Sequence, residues 1–288
     1  MSQKTVVVIG SNGQLGADIC KSLVDWDVVP LTHNDIEVSE IESCRKILDF
    51  SSVYAIVNTS AYHQVDKCES DPITSYKVNA IGPRNLSYIS NEMSSYLIHI
   101  STDYVFDGEK KSPYIETDIP TPLNVYGNTK LSGEFFIRSI AKNFLIIRTS
   151  ALYGKSPCRA KGLNFVDKML DLAKKRNEIK VVDNEFVTPT STECLSNQIS
   201  ILLKHNVMGI CHATCEGECS WYQFARKIYD IAKVKVNLKV ANPDEFPIKV
   251  RRPLYSVLEN SYLKECKLNI MPEWEKSLEY YLASRCNS

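Results

Sequence analysis

The stretch Thr5-Val-Val-Val-Ile9-Gly10-Ser-Asn-Gly13-Gln14-Leu15-Gly16 decides the reading of the fold. Its first five residues are all β-branched and nearly continuously apolar, which predicts a strand covered on both faces. A cluster of glycines follows, and a helical pattern then runs from Gln14 to about Val24. Glycines at such a junction permit a tight turn and let bare backbone approach a pyrophosphate. The start of the helix offers N–H groups and a partial positive charge to receive it. The spacing is Gly-x-x-Gly-x-x-Gly, so the turn alone is also compatible with a purely structural strand–helix junction.

Outward from this unit the same alternation repeats. Val28–Leu31, Val53–Val57, Leu97–Ile100, Phe144–Ile147 and Ile179–Val182 read as short apolar strands. Helical patterns lie between them at about Ser39–Leu48, Ile73–Met93, Val125–Ile140 and Leu163–Lys175. Ser39 with Glu42, and Ser220 with Gln223, have the spacing of a capping box. Ile81-Gly82-Pro83 is expected to break or bend the third helix, because proline lacks the N–H that a helix interior needs. Alternating strands and helices predict an α/β protein with a doubly wound parallel sheet, whose ligands sit at the carboxyl ends of the strands.

We read residues 1–150 as the nucleotide-binding domain, with 178–208 completing its sheet. Residues 151–177 and 209–288 form a smaller substrate-binding region. That region carries a strand at Gly209–Ala213, a helix near Trp221–Ala232, a strand at Val234–Val240, turns at Pro243, Pro247 and Pro253, and a helix near Pro272–Ala283.

Composition narrows the partners. The 288 residues carry 34 basic and 34 acidic side chains, which gives no global attraction for nucleic acid or an anionic membrane. No apolar run approaches the ~18 residues of a membrane span, and no leader pattern is seen, so a cytoplasmic protein is expected. The ten cysteines are therefore expected to be reduced thiols. Cys211, Cys215 and Cys219, with His212 among them, lack the second ligand pair that structural zinc prefers, and no metal is expected.

Two further motifs carry chemistry. Tyr126-Gly-Asn-Thr-Lys130 places a phenol and an ammonium four residues apart, on one face of a helix. A cation beside a phenol lowers its pKa from near ~10, which lets it exchange a proton with an alcohol or ketone. The fourth strand ends in Ser101-Thr102-Asp103-Tyr104, which puts the Thr102 hydroxyl where it can donate to a developing oxyanion. Strand two ends in Leu31-Thr-His33-Asn-Asp35-Ile36, where neither an acid nor a base is clearly placed to read a ribose. NAD and NADP both remain open on that ground. Asp35 and Ile36 are expected to flank the adenine, and His33 reads as an exposed loop histidine.

Taken together these residues resemble the extended short-chain dehydrogenases/reductases, and within them the dTDP-4-dehydrorhamnose reductase family. The matching segments include Val8-Ile-Gly-Ser-Asn-Gly-Gln-Leu-Gly16, Val65-Asp-Lys-Cys-Glu69, Ser101-Thr-Asp-Tyr-Val-Phe-Asp107, Pro122-Leu-Asn-Val-Tyr-Gly127, Arg148-Thr-Ser150 and Arg251-Arg-Pro253. They span almost the whole chain, and the run from Ser101 to Lys130 is the most specific. The resemblance implies a Rossmann fold and hydride transfer from NAD(P)H, with NADPH preferred, to the C4 ketone of a nucleotide-linked 6-deoxy-4-hexulose.

In that reading Tyr126 supplies the proton, Lys130 tunes it and holds the cofactor, and Thr102 polarises the ketone. Gly10, Gly13, Gln14, Leu15 and Gly16 form the pyrophosphate turn. Ala61, Tyr62 and His63 line the cofactor after strand three, and Asn79 organises the site. Thr102, Asp103 and Tyr104 face the sugar, and Arg252 beside Arg251 clamps the diphosphate. A nucleotide-sugar substrate and a homodimer are expected.

The chain departs from the family pattern twice. Ala151 stands where tryptophan is usual after Arg148-Thr-Ser150, with Tyr153 a candidate substitute, and Val187 stands where glycine is common. Three alternatives stand beside the main reading, and the first of them rests on these departures. One is a UDP-linked 4-dehydrorhamnose reductase. The second is a bifunctional epimerase–reductase in which Cys68 or His63 serves as the extra acid–base. The third is a non-catalytic NADP-binding regulatory subunit.

Overall fold

The computed structural model describes residues 3–48, 52–157, 162–242 and 250–285. The expected turns at Pro243 and Pro247 lie outside the described residues.

The first five apolar runs become β1 (Thr5–Ile9), β2 (Asp27–Leu31), β3 (Val53–Asn58), β4 (Tyr96–Thr102) and β5 (Phe144–Thr149). After them come β6 (Leu152–Tyr153), β7 (Glu178–Val181), β8 (Phe186–Val187), β9 (Thr190–Ser191), β10 (Gly209–His212), β11 (Cys219–Ser220) and β12 (Asn237–Val240). The helices are α1 (Gln14–Ser22), α2 (Ile41–Ile47), α3 (Val65–Ser70), α4 (Pro72–Tyr76), α5 (Gly82–Glu92), α6 (Val125–Ile140), α7 (Phe165–Lys175), α8 (Thr192–Lys204), α9 (Trp221–Ala232), α10 (Ser261–Glu265) and α11 (Trp274–Arg285).

Six strands form one parallel sheet in the order β10-β5-β4-β3-β1-β2. The chain leaves β1 for β2 on one side and β3 on the other, so the strand order reverses at β1. A crevice opens at such a switch point beyond the carboxyl ends of the strands, and ligands of open α/β sheets bind there. Both faces are buried. Val6, Val8, Ala55, Val57, Ile98 and Leu145 pack against α1 and α8 residues such as Ile19, Leu195 and Ile199. Val7, Ile56, Leu97 and Ile146 pack with Leu86 of α5 and Ile137 of α6. Side chains of this size, fully buried, each contribute about 1.5–3 kcal/mol of transfer free energy.

Two local expectations are corrected. Segment 178–208 adds no strand to the central sheet: β7 pairs with β12 in a separate ribbon, and the sixth strand is β10, paired with β5. The reason lies in β7 itself, where Glu178 and Lys180 are exposed and Ile179 and Val181 buried. That alternation suits a half-solvated ribbon, not a strand covered on both sides. The expected Ser39–Glu42 capping box does not form. Ser39 donates its hydroxyl to Glu37 at 2.9 Å, and Glu40, the N-cap of α2, makes no side-chain cap. The Ser220–Gln223 box is present at the start of α9.

The third helix divides into α4, a π-helical turn over Lys77–Ile81, and α5. Pro83 has no N–H to offer the carbonyl of Asn79, so the regular ladder is interrupted at the point where the sequence predicts a break.

Candidate active site

The glycine turn sits at the switch point. Gly10 has φ +79°, and a side chain there would drive a Cβ to 2.6 Å from Thr59 Oγ1. A Cβ on Gly16 would collide with the Gly10 carbonyl, so α1 lies directly against the turn. Gly13 differs: a Cβ there would meet nothing but the Gly10 oxygen at 3.2 Å. That side is open, and it is where a diphosphate could rest on bare backbone. Gly13 is the N-cap of α1, no side chain caps this end, and no acid occupies the first turn. The positive end of the helix is thus unspent, and the residues present fit a dinucleotide. Gln14 ties the turn to the small region through Nε2 to the Gly154 carbonyl at 3.3 Å.

The other residues expected around a cofactor divide. Leu15 and Ile36 are core side chains, 6% and 3% exposed, so Ile36 packs inward instead of flanking an adenine. Asp35 accepts hydrogen bonds from Thr32 N at 2.8 Å and Thr32 Oγ1 at 2.7 Å, which hold its carboxyl below the usual range and close its own loop. Ala61, Tyr62 and His63 follow β3 beside the crevice. Asn79, in the π turn, grips Tyr62 at both its N–H and its carbonyl, each at 2.9 Å. The same amide donates to Thr129 Oγ1 at 3.1 Å, which anchors this loop on α6.

Tyr126 and Lys130 occupy the first two turns of α6, whose N-cap Asn124 accepts from Gly127 N. The half-buried Tyr126 ring meets Tyr104 edge-on, 5.8 Å between centroids. Burial pushes the pKa of its phenol up, against an opposing pull from the Thr102 hydroxyl. This reverses the expected lowering. Lys130 is 1% exposed and turned into the sheet, where Nζ donates to the Ile100 carbonyl at 2.6 Å and meets His99 Nε2 at 3.0 Å. Burial lowers its pKa to about 8, against an opposing pull from Glu134.

Thr102 Oγ1 accepts from Tyr104 N at 3.2 Å and donates to Asp103 Oδ1 at 3.0 Å. Asp103 Oδ2 accepts from Ser150 at 2.9 Å and Ser256 at 2.6 Å. Asp103 is therefore a strut behind Thr102, and its carboxylate is spent within the protein. Burial raises its pKa while the three hydroxyls pull it back.

Arg252 stands nearer the opening. It pairs loosely with Asp66 of α3 at 3.8 Å, and its charge acts on Tyr104 and Glu185. Arg251 contributes its carbonyl to Asn124 Nδ2 at 2.9 Å. Tyr153 does not replace the missing tryptophan: it is 0% exposed and packs on Phe224 and Tyr281. Ala151 is half-buried with φ +46°. Val187 is a buried member of β8, paired with Cys219.

Sequence reasoning missed a polar layer under the site. Asn58 and His99 are neighbours in register on β3 and β4, joined at 3.1 Å. One turn along α6 from Lys130, Glu134 makes a buried forked pair with Arg148, at 3.0 and 2.7 Å, and accepts from Ser101. The signal was available: Tyr126, Lys130 and Glu134 recur every four residues, and His99 and Arg148 interrupt otherwise apolar strands. Among the described residues no group of three or more His, Cys, Asp or Glu side chains is placed to hold a metal ion.

A parallel sheet with a glycine turn at its switch point, and a tyrosine and a lysine on the helix beside a strand-end threonine, define a Rossmann-type protein with the short-chain dehydrogenase/reductase arrangement. The chain belongs to the family described as RmlD substrate binding domain, whose model matches residues 4–286. It is 35% identical to the spore coat polysaccharide biosynthesis protein SpsK of Bacillus subtilis, over 98% of each chain. Among solved structures it resembles a dTDP-4-dehydrorhamnose reductase from Clostridium acetobutylicum, with 37% identity, a TM-score of 0.92 and coverage of 97% of this chain and 98% of that one. It also resembles the dTDP-4-dehydrorhamnose reductase of Bacillus anthracis in complex with NADP, with 34% identity, a TM-score of 0.93 and coverage of 98% and 100%.

Proposed function

We propose that this chain is an NADPH-dependent reductase of a nucleotide-linked 4-dehydro-6-deoxy sugar, with dTDP-4-dehydrorhamnose as the first candidate. The observation that carries the reading is the Tyr126 phenol on α6, acted on by the Thr102 hydroxyl at the carboxyl end of β4, in a sheet whose glycine turn leaves a helix start open. Relatives of similar length named as dTDP-4-dehydrorhamnose reductases support it, as does the NADP held by one of them.

The nicotinamide, when bound, supplies the hydride. Tyr126 gives the C4 oxygen its proton, so that ketone plus hydride plus proton closes to an alcohol. Its raised pKa keeps the phenol protonated and ready to donate. Thr102, exchanging its bond to Asp103 for one to the ketone oxygen, stabilises the developing charge. Asn79 and Tyr62 shape the cofactor wall, and Arg252 meets the diphosphate, for which a guanidinium fork is suited. The small region, built around α9, α11 and the ribbons, forms the sugar side. The enzyme works in the cytoplasm, as a homodimer.

The test is NADPH and NADH oxidation with dTDP- and UDP-4-dehydrorhamnose, with Tyr126→Phe as control. Wild-type turnover is expected with NADPH. The variant should lose about 10²–10⁴-fold in kcat while still binding NADPH. Undiminished turnover in the variant would refute the acid role. Cofactor binding with no turnover on any combination would favour a regulatory subunit. Ala151, where an aromatic wall is usual, bears on the nucleotide: preference for the UDP sugar would reassign the substrate and keep the chemistry.

A further inference from the structure

The buried chain beneath Lys130 has a direction. Asn58 Oδ1 accepts from Ser60 N at 3.0 Å and from Ser60 Oγ at 2.6 Å. Its oxygen end is thereby fixed, and the Nδ2 end faces His99 Nδ1 at 3.1 Å. An amide nitrogen can only donate, so Nδ1 must present a lone pair, and the proton of the neutral ring sits on Nε2. Nε2–H then points at Lys130 Nζ, 3.0 Å away. An ammonium has no lone pair to receive it, whereas an amine has one, and an amine can still donate to the Ile100 carbonyl. The chain is satisfied at every link only when Lys130 is uncharged. His99 and Asn58 are 0% exposed and Lys130 is 1% exposed, so water does not mend a mismatch cheaply.

The charges around this chain are few. Lys130 bears on His99, Glu134 from the same helix bears on Lys130, and Glu134 is itself paired with Arg148 from β5. β3 brings the neutral Asn58.

We propose that Ser60, Asn58 and His99 form a latch that favours the uncharged Lys130 amine and keeps it turned into the sheet, and that at alkaline pH the lysine takes up a proton from solvent when it leaves the latch for the cofactor. His99 and Asn58 are positioning residues acting through Lys130. The proposal rests on the reading of Lys130 as the cofactor-facing lysine of the reductase. It adds that binding is coupled to protonation.

The first measurement is the ¹⁵N spectrum of the histidine rings in the cofactor-free protein at pH 8.5, with His99→Gln to assign the signal. The Nε2–H tautomer is expected, and Nδ1–H overturns the latch. The second is proton uptake on NADP⁺ binding, from calorimetry in buffers of different ionisation enthalpy. With Lys130 near pKa about 8 in the free protein, wild type at pH 8.5 should take up about 0.7 proton.

Asn58→Asp reverses the chain. A carboxylate accepts from both Ser60 and His99 Nδ1–H, Nε2 becomes an acceptor, and Lys130 is then charged from the start. Uptake should fall towards zero. His99→Gln, whose amide oxygen also accepts from an ammonium, should do the same if the aspartate variant does not fold. No uptake in wild type, or equal uptake in wild type and variants, overturns the proposal. The tautomer is read without cofactor. A protein that fails to bind NADP⁺ would therefore sink the reductase reading, and an Nδ1–H ring the latch.

Discussion

At the scale of single residues, the buried histidines set a pH limit on the fold. His212 Nδ1 faces the carbonyls of Tyr114 and Glu259 at 3.0 and 3.1 Å, so its proton sits there and the ring is neutral. Burial, with Arg148 beside it, lowers its pKa to about 3, and His99 is shifted in the same direction. Between about pH 6.5 and 3 the unfolded chain binds protons that the folded chain refuses, so stability falls as pH falls through that window and is unaffected above it. The free energy of unfolding should drop by about 1.4 kcal/mol per pH unit per histidine below pH 6. In urea titrations His212→Gln should lower stability at pH 7.5 yet flatten this slope, and an unchanged slope would refute the assignment. Ala151 makes a second case. Its φ of +46° is strained for a side chain, so Ala151→Gly should stabilise by about 1 kcal/mol in thermal or chemical unfolding. The Tyr126–Lys130 pair was legible because a four-residue spacing fixes a shared helix face. The direction of the lysine was not, because a lone histidine in an apolar strand marks a polar contact without saying which side chain from another element meets it.

At the scale of elements, turns and caps carry the testable detail. Gly16→Ala would thrust a methyl into the backbone carbonyl of Gly10, with no flexible side chain to yield. The turn must open, and NADPH affinity should fall at least about tenfold, a loss of about 1.4 kcal/mol; equilibrium binding by fluorescence checks it. Ser220→Ala removes the hydroxyl half of the capping box on α9, leaving the N–H of residue 220 to donate to Gln223, and should cost about 1 kcal/mol without changing kcat. Strand positions were legible throughout the first 150 residues, because β-branched apolar runs have few alternatives. Helix ends were less so. Ser39 and Glu42 have the right spacing for a cap, but Glu37 captures the serine hydroxyl first. The break at Pro83 was foreseen, but not its product: a π turn that delivers Asn79 to Tyr62.

At the scale of the whole molecule, Asp103 binds the parts together. Its carboxylate takes hydroxyls from Thr102 on β4, Ser150 after β5 and Ser256 of the small region. Asp103→Ala would strand three buried hydroxyls, at about 1–3 kcal/mol, and release Thr102. We expect a lower unfolding midpoint and a fall in kcat for the 4-dehydro sugar, with NADPH affinity kept. Loss of stability alone, with kcat intact, would limit Asp103 to a structural strut. The domain division was the least legible feature. Sequence gives the strands but not which of them meet, and β10, over sixty residues beyond β5, is adjacent to it in the sheet.

That adjacency governs how the protein must be made. A ribosome that has finished β5 has exposed an edge strand, Phe144–Thr149, whose partner is not yet synthesised. Until Gly209–His212 emerges, the nascent sheet presents unpaired backbone along one side and leaves the Arg148–Glu134 pair without its cover, the state most open to sticking to another nascent chain. The half that carries the glycine turn therefore cannot mature ahead of the half that carries β10. Each finished molecule arrives with both.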